Sequence, residues 1–428
     1  MPKTNVVVLD NGAGTIKAGI VPNDSTEEQS VKLVPNAIVR SKGDKATYFG
    51  HQIANCKDYS SLHYRLPFEK GFIVDWDAQK AIWDGIFSQE VLGVDSTESS
   101  LILTEPYFNL PNIQEIYDQF VFEEYEFSSY HRCTPASLIP HGKLLGSPPP
   151  ECMLVVDSGF SFTHVIPLIN GNIVWSSIRR LDVGGKLLTN HLKELVSFRQ
   201  WNMMEETYIM NHVKETCCYV STDFKKDLES TRPIVQKYIL PDMSTSRKGR
   251  LLRPRETIMD SEQVLLMKNE RFSVPEIIFR LNQSGLPSAI AESIASLLED
   301  IQPMFWENIS LIGGNTKFPG FRERLFAELR FLAPMDCEVG IYESDDPVTE
   351  AYSSAKEFAT KPEFHGHCLT RAEYLECGSS GARRKFRDWK TKIPSKETTM
   401  KDDGPQVQNA SQRPRVRPRG VLLEGRGR

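Results

Sequence analysis

The 428-residue chain is poor in the features that mark secreted, disulfide-built or membrane-spanning proteins. It has eight cysteines, at 56, 133, 152, 217, 218, 337, 368 and 377, but no CxxC pair and no regular spacing. That pattern argues against a disulfide framework and for a reducing cytosol or nucleus. No apolar run approaches the length a membrane helix needs, and the first residues lead directly into a strand-like stretch. The expectation is a protein that is neither secreted nor membrane-embedded. What is present is ordinary globular material, 40% hydrophobic and 25% charged, enough for more than one packed core.

The net charge of −5 is unevenly spread. From Arg383 to Arg428 there are fourteen Lys and Arg against five Asp and Glu, a surplus of nine, so the preceding chain carries −14. Stretches such as RPRVRPRG (413–420) have too little apolar content to pack, and residues 377–428 read as a basic, disordered tail. Such a tail is either a plain extension or a contact for phosphates and acidic partners.

Within the body, VVVLDNGAGTIKAGI (6–20) has an echo in LVVDSGFSFTHVIPLI (154–169). In each, β-branched residues run into an Asp, a small polar residue and Gly make a turn, and apolar alternation resumes. Asp10 and Asp157 are 147 positions apart, about one domain length. The spacing predicts two similar lobes, each giving one hairpin to a shared cleft. Helical periodicity at 113–125, 187–198 and 205–220, alternating with strand-like SLILTE (100–105) and ISLIGG (309–314), indicates an α/β body. GSPPP (146–150) marks the seam.

Glycine-bearing turns leave backbone N–H groups open to phosphate, while an Asp at the strand end can hold a water on Mg²⁺. In this scheme Asp10 and Asp157 face the metal, Gly12, Gly14, Ser158 and Gly159 line the turns, and Lys17 reaches back to phosphate oxygens. One copy alone would be an unremarkable hairpin; two at domain spacing favour a nucleotide cradle. In LIGGNTKFPGF (311–321) a third strand ends in Gly313 and Gly314, where backbone could approach a flat ring beside Lys317 or Phe318.

These segments resemble the actin family. DNGAGTIKAG resembles its first phosphate loop, DSGFSFTH the second and IGGNTKFPGF the adenosine loop. LPFEKGFIVDWD (66–77), LILTEP (101–106), RLDVGGKLLT (180–189), VKETCCYV (213–220) and NERFSVPEIIF (269–279) follow in the family's order over roughly residues 5–360. The resemblance implies an actin-like, duplicated ribonuclease H-like fold with two lobes around a cleft for ATP or ADP with Mg²⁺. A small lobe would span 1–145, completed by about 340–376. A large lobe would span 146–339. Position by position, it implies Asp10 and Asp157 near the metal; Gly12, Ala13, Gly14, Lys17, Ser158 and Gly159 at the phosphates; and Gly185, Lys214, Glu215, Gly314 and Phe318 around the nucleoside.

The departures bear on function. Where the family places a water-orienting glutamine, this alignment puts Cys133, and Phe160 stands where the second loop carries a further Asp. Losing both groups should remove most hydrolysis. SDDPVTEAY (344–352) replaces a Gly-Gly-Ser turn opposite the adenine, and RSKGDKATYFG (40–50) is shorter than the loop that reaches a neighbouring subunit in filaments. A filament is therefore not expected. Between YILPD (238–242) and NERF lies an insertion, about 243–268, in which Arg247, Lys248, Arg250, Arg253 and Arg255 form a basic stretch, either a solvated loop or a contact for a partner or DNA.

VGGKLLTNHLKE, the insertion and NERFSVPEI are most similar to a nuclear branch of the family. The resemblance implies a non-catalytic scaffold in a complex that deposits a Z-type core histone. Its implied partners are remodeller ATPase complex subunits, a zinc-finger HIT subunit, the nucleosome and heterochromatin protein, with no membrane. The competing readings are an active ATPase of the same clan and a filament former.

Overall fold

The computed structural model describes residues 5–22, 30–59, 62–230, 235–242, 248–280 and 284–386. Arg247 and the charged segment 387–428 lie outside them.

Two sheets repeat one topology, which makes the duplication inferred from the two turns visible. In the first, Asn5–Asn11 forms an antiparallel meander with Thr15–Val21 and Lys32–Pro35, while Ser99–Thr104 and then Ser129–Cys133 add in parallel on its other side. In the second, Cys152–Ser158 pairs antiparallel with Thr163–Ile169, which continues to Asn172–Ile173, while Ile309–Ile312 and Ile341–Glu343 add in parallel. Each leading strand sits between neighbours on both edges with both faces covered. That explains its unbroken Val and Leu run in place of alternation. Asp10 and Asp157 stand where those runs end.

Helices Trp76–Phe87, Gly185–Arg199, Thr207–Cys217, Phe321–Leu332 and Glu350–Thr360 cover the sheets. The first is started by Asp75, whose carboxylate accepts from the Ala78 amide at 3.1 Å. Leu188, Leu192, Val196, Met210 and Val213 bury one face of the 185–199 and 207–217 pair in the large-lobe core.

Two boundaries and one loop differ from expectation. Ile341–Glu343 still belongs to the second sheet; the chain returns to the first lobe with helix 350–360 and strand Leu369–Thr370, which pairs with Ser129–Tyr130. Residues 377–386 are not a solvated tail. Ser379–Phe386 is a helix whose Ala382 is buried, with Phe386 packed on the small-lobe core. The described part of the insertion is likewise no loose loop: Arg250–Leu251 and Val264–Met267 pair with Gln236–Ile239, and Tyr238, Leu265 and Met267 enter the large-lobe core. The shortened loop is a hairpin in which Ile38–Ser41 pairs with Ala46–Phe49. All eight cysteines are free, and no helix of the described residues is long and apolar enough to cross a membrane.

Candidate functional site

A buried amide network fixes the first turn. Asn11 Oδ1 accepts from Trp83 Nε1 at 3.3 Å and Gln79 Nε2 at 3.4 Å, and its Nδ2 donates to the Tyr117 hydroxyl at 3.3 Å. Asn36 donates its side-chain amide to the Gly12 carbonyl at 3.0 Å and its backbone N–H to that of Gly14 at 3.1 Å. The turn is held by its own carbonyls, which leaves its tip to face the second lobe.

Asp10, at the strand end, accepts from Thr104 Oγ1 at 2.8 Å and pairs with Lys17 Nζ at 3.0 Å. Lys17 does reach back past the turn, but to the Asp10 carboxylate. Gly12 lies beneath that ammonium, and Ala13 packs on the small-lobe core.

The second turn is tied from behind. Ser158 Oγ shares a 2.8 Å hydrogen bond with Thr163 and accepts from Asn315 Nδ2 at 3.2 Å. The same Nδ2 donates to the Gly159 carbonyl at 2.8 Å. The Gly185 and Lys186 amides, at the N-terminus of helix 185–199, donate to the carbonyls of Gly159 and Phe160 at 3.0 and 2.9 Å. Those helix-end donors, a ready anion site in other settings, are taken up by the turn itself. Asp157 accepts from the Tyr107 hydroxyl at 3.0 Å. Burial pushes its carboxyl up to about 6; nearby Asp10 adds to the rise, while the Tyr107 hydrogen bond and Lys17 oppose it.

Asp10, Lys17 and Asp157 thus come together as the spacing implied, and Gly14 meets the second turn directly. A Cβ added at Gly14 would come within 2.8 Å of Phe160 Cγ. The ring therefore lies on the first turn, in the gap where two phosphate loops would share an anion. A magnesium triphosphate gripped by both turns does not fit this arrangement.

The residues implied for the nucleoside are scattered in role. Lys214 is buried and donates to the Gly185 carbonyl, Thr189 Oγ1 and Asn211 Oδ1 at 3.1, 2.9 and 3.0 Å, and burial lowers its pKa. Glu215 is exposed and accepts from Asn211 at 2.7 Å. Gly314 faces Val348. Phe318 does not offer an open ring face: it is 7% exposed and part of the large-lobe core. Lys317 instead pairs with Asp346, in the segment that replaces the Gly-Gly-Ser turn, at 3.1 Å.

Cys133 needs correction as the stand-in for a water-orienting group. It is the last residue of its strand and packs against the cluster containing Val8, Ile102 and Phe358, and burial raises its thiol pKa strongly. The polar position at that strand-to-helix junction is Thr134, 6% exposed, whose hydroxyl has no hydrogen-bond partner. Among the insertion's cations, Arg250, itself exposed, pairs with Glu256 at 2.7 Å and Glu262 at 3.1 Å and so ties the loop together. Arg253 and Arg255 are exposed. Lys248 is exposed beside its start.

Sequence reasoning missed Tyr107, Thr104 and Asn36, which hold the turns from distant segments, and Phe162, which stands in the second turn and lies on Gly71. Only Phe162 had a visible signal, standing two positions beyond Phe160.

Comparison with known proteins agrees with this architecture. The family model described as Actin matches residues 1–387. Among curated relatives, the actin-like protein ARP6 of Cryptococcus neoformans is 48% identical over 416 residues, covering 89% of this chain and 84% of the relative. Actin-related protein 6 of Drosophila melanogaster is 37% identical, covering 89% and 99%. The protein of the same name from Arabidopsis thaliana is 35% identical, covering 90% and 99%. With its duplicated sheets, paired turns and this likeness along nearly its whole body, the chain belongs to the actin family.

Proposed function

We propose that this chain is a non-catalytic, nuclear actin-family scaffold. In this reading it joins the subunits of a remodelling complex that deposits a Z-type core histone and helps that complex engage nucleosomes. The observation that carries the proposal is the contact of Phe160 with Gly14, which fills the gap in which phosphoryl chemistry would take place. Two features support it: the Asp10 carboxylate is already paired with Lys17, and Phe160 supplies no carboxylate to the second turn. Curated relatives matching along nearly the whole body bear the names actin-like protein ARP6 and actin-related protein 6. Its partners in this reading are the remodeller ATPase and its associated subunits, a zinc-finger HIT subunit, the histones and DNA of the nucleosome, and heterochromatin protein. Arg253 and Arg255 are the surface cations offered to an acidic partner or to DNA.

Two measurements test the reading. Purified full-length protein should show no ATP turnover near that of an actin; turnover at that level, abolished by Asp157→Ala, overturns the non-catalytic assignment. Affinity purification from nuclear extract should recover a remodeller ATPase and a zinc-finger HIT protein. Recovery of the chain alone, or its pelleting as a filament with Mg²⁺ and salt, overturns the scaffold.

A further inference from the structure

We propose that the cleft of this chain is latched shut by its own aromatic side chains, so that its closed shape does not depend on a nucleotide. Three contacts join the lobes at different depths. In the middle, Phe160 of the large-lobe turn lies on Gly14 of the small-lobe turn. Two residues further, Phe162 lies on Gly71: a Cβ there would meet Phe162 Cε2 at 2.6 Å. The backbone at Gly71, with φ +79°, also disfavours any side chain. The Arg180 guanidinium lies over Phe162, 4.3 Å from the ring centroid. Arg180 thus fixes the ring from its own lobe while Gly71 receives it on the other.

At the outer end, Tyr59 of the small lobe stacks on Tyr208 of helix 207–217, with centroids 4.5 Å apart and planes at 30°. Tyr208 packs both against the small-lobe cluster of Val39, Ile53 and Leu62 and against the large-lobe core. Lys42 and Glu205 approach to 4.0 Å beside it.

The two turns are polar hairpins, and on their own they would repel rather than adhere. Asp10 and Asp157 both stand near the gap, and bare carbonyls and amides would keep their water. In a cleft closed by a ligand, the anion and its cation bridge those groups. Here rings bridge the lobes beside the Tyr107–Asp157 hydrogen bond: two rings in the second turn meet two glycines of the first lobe, and each ring is large enough to shed substantial surface from water on closure. Lys17 neutralises Asp10 from within its own hairpin, and Tyr107 holds Asp157. The charges that a magnesium nucleotide would satisfy already have partners. Closure is therefore a property of the chain.

The test uses the isolated full-length protein, so it is independent of which partners the scaffold serves. Spin labels are placed at the exposed positions Asn55→Cys and Glu229→Cys, one in each lobe, with exposed Cys377→Ser. The interlobe distance is then measured by pulsed electron resonance with and without millimolar Mg·ATP or Mg·ADP, alongside thermal unfolding. The latch predicts a narrow distribution in a nucleotide-free preparation and no change in distance or Tm on adding either nucleotide. In Phe160→Ala/Phe162→Ala the distribution should broaden, and any nucleotide response should appear only there, as renewed narrowing with a Tm rise of several degrees. A broad wild-type distribution that narrows with Mg·ATP overturns the proposal. So does about one equivalent of nucleotide released from the wild type on denaturation, or a double variant as narrow as the wild type. Should the double variant fail to fold, the wild-type distribution and its nucleotide content decide alone.

Discussion

The Tyr107 hydroxyl donates to Asp157 at 3.0 Å and accepts from the Ala136 amide at 3.1 Å, so the phenol joins the small lobe to the carboxylate of the large-lobe turn. The folded Asp157 keeps its proton up to about pH 6, mainly through burial, whereas the unfolded chain releases it near 3.8. Between those values the folded state binds more protons, so this group's contribution to stability falls as pH rises from about 4 to 6 and stays at its lower level above that. Asp157→Asn keeps an acceptor for Tyr107 and removes the titration. Its Tm relative to wild type should therefore be higher at pH 7.5 than at pH 4.5, measured by scanning calorimetry. An equal difference at both pH values would show that Asp157 is ionised throughout.

At the junction after strand Ser129–Cys133, neighbouring positions should respond in opposite ways. Cys133 packs among apolar side chains, so Cys133→Gln buries an amide there and should cost about 1–3 kcal/mol with no gain in ATP turnover. The Thr134 hydroxyl is buried without a partner, so Thr134→Val should be neutral or slightly stabilising. Urea unfolding of the two variants checks both, and a loss in Thr134→Val comparable to that in Cys133→Gln would mean the hydroxyl is paired.

Much of this architecture could be read in advance because both turns are local. Asp10 to Lys17 and Asp157 to Thr163 are contiguous segments whose residue types dictate a hairpin, and their repetition at domain distance carries the duplication. The failures have two physical sources. Charge hides packing: the stretch from Arg383 is basic enough to suggest a solvated tail, yet Ala382 and Phe386 give it an apolar face that docks. The same holds for Arg250, which reads as one of five free cations until Glu256 and Glu262 fold back onto it. Long-range pairing is the other source. Nothing around Gly71 announces Phe162, and nothing around Tyr208 announces Tyr59, because each contact depends on how the lobes close.

The helix at the end of the described chain should matter more than its charge suggests. Phe386 lies over the Arg132 guanidinium at 5.3 Å and edge-on to Tyr130 at 5.5 Å, while Arg383 pairs with Glu115. Arg132 is fully buried and pairs with Asp118 at 2.6 Å and Glu105 at 3.3 Å, so the helix covers an ion cluster that would otherwise be wetted on one side. Phe386→Ala should cost on the order of 2 kcal/mol. Truncation after Gly378 should lower Tm more than truncation after Phe386. Equal Tm values for the two truncations would show that the helix does not dock.

Within the insertion, the cations divide by role. Arg250 shapes the loop: besides its two carboxylate partners, Glu256 also accepts from the Arg253 amide at 2.9 Å, and Glu262 from that of Met259 at 3.0 Å. Removing it leaves both carboxylates without the cation that links them and loosens the turn, so Arg250→Ala should increase proteolytic cleavage between 250 and 262. Arg253 and Arg255 project from that turn, so Arg253→Ala/Arg255→Ala should leave Tm and protease resistance unchanged. If the loop meets DNA, the double variant weakens nucleosome binding and makes it less salt-dependent, because fewer counterions are released. Titration of nucleosomes at two salt concentrations separates the roles. A double variant that binds as wild type at both would assign the exposed pair to solvent, and cleavage of Arg250→Ala no faster than wild type would remove the staple.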